Sequence, residues 1–162
     1  MEANVRDETH LYLGRHYRLR LVEGSVQAVK LTQGRIEISL PDPFDDRRVK
    51  TLLESWYREK SMFHFQSLFD KHFIIFSGVS VREKPLLRIR NLRTRWGSIS
   101  DDNVLTLNLQ LIRAPRECIE YVIVHELCHL KHHNHNSEFY MLLEKHLPGW
   151  KRLKSKLELS LS

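Results

Sequence analysis

Residues 119–140 read "IEYVIVHELCHLKHHNHNSEFY", an apolar run that opens into five of the chain's ten histidines within eleven residues. The first half has helical spacing. At about 100° of rotation per residue, Ile119, Ile123, Leu127 and Leu130 share one broad side, while His125 and His129 lie together on the opposite one. Being four apart, the two histidines stand with Cβ atoms roughly 5–6 Å from each other, so two imidazole nitrogens can meet one Zn²⁺ at about 2.0–2.1 Å. Glu126, turned by about 100° from His125, flanks such an ion without having to ligate it. That is where a general base must stand to take a proton from water activated by a metal. The stretch "HELCH" is thus an HExxH motif. Two histidines and a glutamate in a mostly apolar helix incur a desolvation cost unless satisfied, and a metal with its water satisfies all three.

Zinc takes a third protein ligand and keeps a fourth position open. His132 continues the same helical face but lies two turns from His125, about 10.5 Å along the axis, which is too far to share an ion easily. His135 is preferred, because Asn134 is a suitable helix terminator and a chain turning there can fold His135 back. Glu144, on the next helix, is the rival ligand by analogy with sites of two histidines and a glutamate. His132 and His133 read as surface histidines. A three-histidine site also admits Mn²⁺, Co²⁺ or Ni²⁺.

Working outward, Pro115 suits the first turn of this helix, which is expected to run to about residue 132. Upstream, "LLRIRNL" reads as a strand and "NVLTLNLQLI" as another, with Leu105, Leu107, Leu109 and Leu111 on one face, and Gly97 and "SDDN" in the turns between them. Earlier still, "DDRRVKTLLESWYREKSMFHFQSLF" places Val49, Leu52, Leu53 and Trp56 at helical spacing, predicting one long amphipathic helix. "KHFIIFSGVSV" behind it fits a helix end or a strand. The first forty residues predict a small antiparallel meander: "HYRLRLV", then "VQAVKL" after Gly24-Ser25, then "RIEISL" after Gln33-Gly34. Downstream, Asn136 or Ser137 can cap "SEFYMLLEKHL", which Pro148 and Gly149 stop, and "WKRLKSKLEL" is a last helix. The fold class is α+β, in one domain over residues 1–162.

The 162-residue chain is long enough to bury a core, and 41% hydrophobic residues with mixed charge read as globular. No apolar run approaches the roughly 18 residues of a membrane span, and "MEANVRDETHLYLG" lacks the pattern of a signal peptide, so a cytoplasmic protein is expected. Cys118 and Cys128 fall about 15 Å apart on one helix, too far for a disulfide. The net charge of +6 is uneven. "VREKPLLRIRNLRTRW" (81–96) concentrates arginines, and a second basic group lies near the C-terminus, so an anionic ligand or nucleic acid is a candidate partner.

The combination "RTRWGSIS", "LTLNLQLIRAP", "YVIVHELCHLKHHNHNSEFY" and "LPGW" resembles the YgjP-like metallopeptidase-domain family, a branch of the HExxH zincins related to SprT-type and WLM proteases. The resemblance implies a minimal zincin domain with His125, His129 and His135 as zinc ligands, Glu126 as catalytic base, and the preceding strand along the cleft. The family commonly has cysteine where this chain has Ile99, which argues against a thiol role there. The resemblance also carries a nucleotide pyrophosphatase activity towards UTP.

Three functions follow. A metallopeptidase would use Glu126 as base and pair an extended substrate with the edge of the "VLTLNLQLI" strand. A nucleotide phosphohydrolase would use the same centre, with the Arg88/Arg90 and Arg93/Arg95 pairs, each two apart and so facing one way if extended, holding phosphate oxygens and Trp96 stacking a base. A zinc-stabilised module binding nucleic acid is the third, although structural zinc sites are usually closed by four protein ligands.

Overall fold

The computed structural model describes residues 4–77 and 83–161. Two hairpins open the chain. Strand β1 (Asn4–Tyr12) turns into β2 (Arg15–Glu23), and β3 (Ala28–Thr32) into β4 (Arg35–Leu40). Each has a two-residue loop, Leu13-Gly14 and Gln33-Gly34, with both residues at positive φ. That is the backbone twist a tight hairpin needs, and the glycine supplies half of it without strain.

The two hairpins do not form the expected meander. The strand order is β1-β2-β4-β3, and β2 pairs with β4 in parallel. The pairing sets Leu19 beside Ile36 and Leu21 beside Ile38, all buried, so the apolar alternation of both strands falls on one face. β1, with its charged run "VRDETH", gave no apolar alternation and was not anticipated; it is an edge strand whose one strand partner is β2, and α1 also holds it through the Tyr57 hydroxyl, which donates to the Leu11 carbonyl at 2.6 Å.

The long helix α1 spans Asp46–Ser77. Asp45 starts it, its carboxylate accepting from the Arg48 amide at 3.1 Å. Val49, Leu53, Trp56, Phe65, Phe69 and Phe76 form its buried stripe. The helix thus takes "KHFIIFS", and the remainder of "KHFIIFSGVSV" lies outside the described residues.

The second sheet contains β5 (Leu86–Arg90), β6 (Gly97–Ile99) and β7 (Val104–Asn108), in the order β5-β7-β6. Gly97, expected in a turn, begins β6. A Cβ there would stand 3.1 Å from the Thr106 carbonyl oxygen and 3.2 Å from Val122 Cγ1, so its bare backbone lets the strand lie close against the next helix. The strand expected over residues 103–112 stops at Asn108, and Leu109–Arg113 is a 3₁₀ turn. Leu109 and Leu111 are buried all the same, because the tighter turn sends both into the core.

Helix α2 (Arg116–Cys128) follows, then α3 (Ser137–His146) and α4 (Trp150–Ser160). The Leu13-Gly14 turn docks at the start of α2. Its two amides donate to the Ile112 and Arg113 carbonyls at 2.9 Å, and Gly14 leaves a Cβ only 2.8 Å from Pro115 Cγ. α1 holds α2 through His72, whose Nε2 lies 3.1 Å from a Glu120 oxygen that also accepts from Lys71. Both cysteines are free and buried. Burial pushes the Cys128 thiol up to about 12, which removes it as a nucleophile. Among the described residues no helix is long and apolar enough to cross a membrane.

Burial also sets a pH dependence. It lowers the pKa of His10, His64 and His146 below the ordinary 6.5, helped by Arg116 at His64 and Lys145 at His146. The unfolded chain therefore takes up protons first on acidification. This part of the stability is whole above about pH 6.5 and is lost as pH falls towards the folded-state values. The melting temperature of the metal-free chain, followed by circular dichroism, is expected to fall between pH 7.5 and 5.5; an unchanged value would contradict the assignment.

Candidate metal centre

α2 is buried on most of its surface, and its last turn carries the motif. It ends at Cys128 with His129 as cap, some four residues before the expected stop. Successive tight turns close it, with the Leu130 and Lys131 amides donating to the Leu127 and Cys128 carbonyls. Beyond the turn, Asn136 caps α3 by accepting from the Phe139 amide at 3.0 Å. The chain between the two helices thereby returns His135 to the end of α2.

His125, His129 and His135 come together, with a ligand atom from each within 4.8 Å of the others. His129 Nε2 is 3.0 Å from His135 Nε2. His129 Nδ1 is 3.1 Å from the His132 carbonyl oxygen, to which it can only donate, so Nε2 is left as the lone-pair nitrogen facing His135. A cation at this point can take a lone pair from each ring, and neutral imidazole donors suit Zn²⁺. The three residues therefore fit a metal. Partial desolvation, and then the His129 and His125 rings, hold the His135 imidazole below its ordinary pKa, which favours the neutral form.

Phe139, fully buried on α3, was not identified from the sequence. Its ring centre lies 5.1 Å from that of His125, 4.6 Å from His129 and 4.8 Å from His135, so one side chain backs all three imidazoles. The readable signal was its place three residues after the Asn136 cap, on the same face as Leu143. Glu144 lies elsewhere, exposed on α3 beside Tyr140 and Met141 in a separate cavity. His132 is more than a bystander, since its carbonyl orients His129, and His133 borders the cleft.

The cleft, about 740 Å³, has α2 as its floor, with Tyr121, Val122, His125, Glu126 and His129, and β6 as its rim. Glu126 is 7% exposed, and its Oε1 is 3.4 Å from His125 Nδ1. Burial pushes the Tyr121 phenol up to about 12, so it stays a hydrogen-bond donor. β7 lies between β5 and β6 and has no free edge, so the strand edge available along the cleft is that of β6.

Of the basic and aromatic candidates, Arg95 and Trp96 border this cleft. Trp96 is half-buried against the core. Arg93 lines a neighbouring cavity with Arg113, which Arg95 and Trp96 also border, and Arg88 and Arg90 are exposed on β5. The loop carrying Arg93 and Arg95 is shaped by Asn108, a residue the sequence reading passed over. Its side chain donates to the Leu92 and Arg95 carbonyls at 3.1 and 3.0 Å and accepts from the Leu92 and Gln110 amides. Asn108→Ala leaves these partly buried groups unpaired, and a loss of about 2–3 kcal/mol is expected from the shift of a urea unfolding midpoint. A variant within experimental error of the parent would refute that role.

The fold is shared with two archaeal structures. One is the metallopeptidase zymogen abylysin of Pyrococcus abyssi, 25% identical over 60% of this chain and 94% of that chain, with a TM-score of 0.54. The other is the metallopeptidase zymogen jannalysin of Methanocaldococcus jannaschii, 21% identical over 60% and 97%, with a TM-score of 0.53, a likeness of fold alone. No curated protein sequence matches the chain. The family described as "YgjP-like, metallopeptidase domain" matches residues 2–160, so the chain belongs to the YgjP-like metallopeptidase-domain family.

Proposed function

We propose that the chain is a zinc-dependent peptide hydrolase in which His125, His129 and His135 hold the metal and Glu126 is the general base. The observation carrying this reading is the convergence of three imidazoles on one point beside a buried carboxylate, next to the outer strand of the second sheet. When bound, zinc would supply positive charge that acidifies water and polarises a carbonyl. Glu126 takes the proton of the attacking water and returns it to the departing amine nitrogen. An extended substrate lies along β6, and the Tyr121 phenol is available to donate a hydrogen bond within the cleft.

The nucleotide reading needs several arginines at one phosphate chain beside the metal; Arg93, Arg95 and Arg113 share a neighbouring cavity, and of these Arg95 alone also borders the cleft that holds the three histidines, which favours peptide. The test is one purified preparation supplied with Zn²⁺ and assayed against unfolded protein, short peptides and the four ribonucleoside triphosphates. Peptide-bond cleavage supports the proposal. Diphosphate release without peptide cleavage overturns it.

A further inference from the structure

The cleft is electrically polar along its rim. At the Gly97 end of β6 stands Arg95; at the opposite end, past Ser100, stand Glu83 and Asp101. Among the described residues none of these three side chains has an ion-pair partner. Lys84, beside Glu83, pairs with Asp70, and Asp102, beside Asp101, accepts from the Ser100 hydroxyl.

Both poles are fixed by asparagines. Asn108 donates to the Arg95 carbonyl and so sets the loop from which Arg95 projects. Asn103, at φ 65, donates from its side chain to the Glu83 carbonyl at 3.0 Å and from its backbone to the Ser100 carbonyl, tying Glu83 to the end of β6. Asparagine tolerates this left-handed conformation better than most residues. A cleft serving long unfolded chains has no use for opposite charges at its two ends.

Resting on the peptidase reading above, we infer that the substrates are short peptides with both termini free, the C-terminal carboxylate at Arg95 and the N-terminal ammonium at Glu83 and Asp101. The polarity sets the direction. A peptide running antiparallel to β6 brings its C-terminus to the Gly97 end and its N-terminus to the Ser100 end, whereas a parallel one meets like charge at both. The length follows too. From residue 95 to 101 an extended chain covers at most roughly 20 Å, which matches a peptide of about four to six residues.

The experiment uses one apolar pentapeptide in four forms: free, N-acetylated, C-amidated and doubly capped. Cleavage by the zinc-supplied chain is followed by mass spectrometry, and binding to Glu126→Gln by calorimetry. Each cap is expected to lower both kcat/KM and affinity by about ten-fold, the scale of one lost charge contact. In Arg95→Gln the penalty for the amide should vanish while that for the acetyl stays; in the double variant Glu83→Gln, Asp101→Asn the reverse should hold. Equal handling of all four forms, equally fast internal cleavage of a twenty-residue peptide, or no binding of the free form overturns the inference. Cleavage indifferent to the caps would sink the inference and leave the peptidase standing. Cap-sensitive binding without cleavage would sink the peptidase and leave the cleft as a site for free-ended peptides.

Discussion

Glu126→Gln is expected to lose at least about a hundredfold of peptide turnover while keeping its metal, since a positioned acid–base group contributes about 10²–10⁴ in rate. The substitution preserves the volume of a side chain that is nearly enclosed in the last turn of α2, so the chain should fold as before. An amide cannot take up the proton of the attacking water, and the three imidazoles are untouched. Elemental analysis reads the metal per chain, and the peptide assay reads the rate. A variant as active as the parent would sink Glu126 as the base; one that loses activity and metal together would show that the substitution damaged the cluster and not the proton transfer.

His135→Ala should act on the metal itself. It removes one of three converging ligands, so affinity should fall by more than the roughly 10–100-fold that follows loss of a hydrogen-bonding partner behind a ligand. His135 is exposed and lies between α2 and α3, so the loss of fold should be small. Zinc per chain after dialysis against a weak chelator is the readout. An unchanged ratio would take His135 out of the site. Glu144→Ala should leave the ratio alone, because that carboxylate borders another cavity.

The parts of the site carried by one helix were legible, because a four-residue separation fixes which side chains are neighbours. His125, Glu126 and His129 follow from that rule, and the Asn136 cap follows from local hydrogen bonding. The return of His135 was also readable, though only as a turn of unspecified shape. What was not legible depends on partners distant in sequence. Nothing in "RIEISL" says that β4 inserts beside β2 in place of extending a meander, since the same alternation satisfies either neighbour. β7 was drawn too long because leucines continue past Asn108, and alternation alone does not reveal that the Asn108 side chain diverts the backbone into a 3₁₀ turn. β6 was hidden by its brevity and its glycine. The arginines were read as two pairs; Arg88 and Arg90 are exposed on β5, while Arg93 and Arg95 line one cavity and Arg95 alone of the four reaches the cleft.

The docking of the Leu13-Gly14 turn on the residues just before α2 bears on how the molecule assembles. The two partners are separated by most of the chain, and closing so long a loop costs entropy before any contact repays it. Local structure in the hairpin and in α2 can form early, whereas their junction must come late. The amide hydrogens of Leu13 and Gly14, which bond across it, are therefore expected to gain and lose protection from exchange in step with the beginning of α2. Proteolysis of the first hairpin should accordingly loosen α2 from its far end, although no residue of that hairpin borders the cleft.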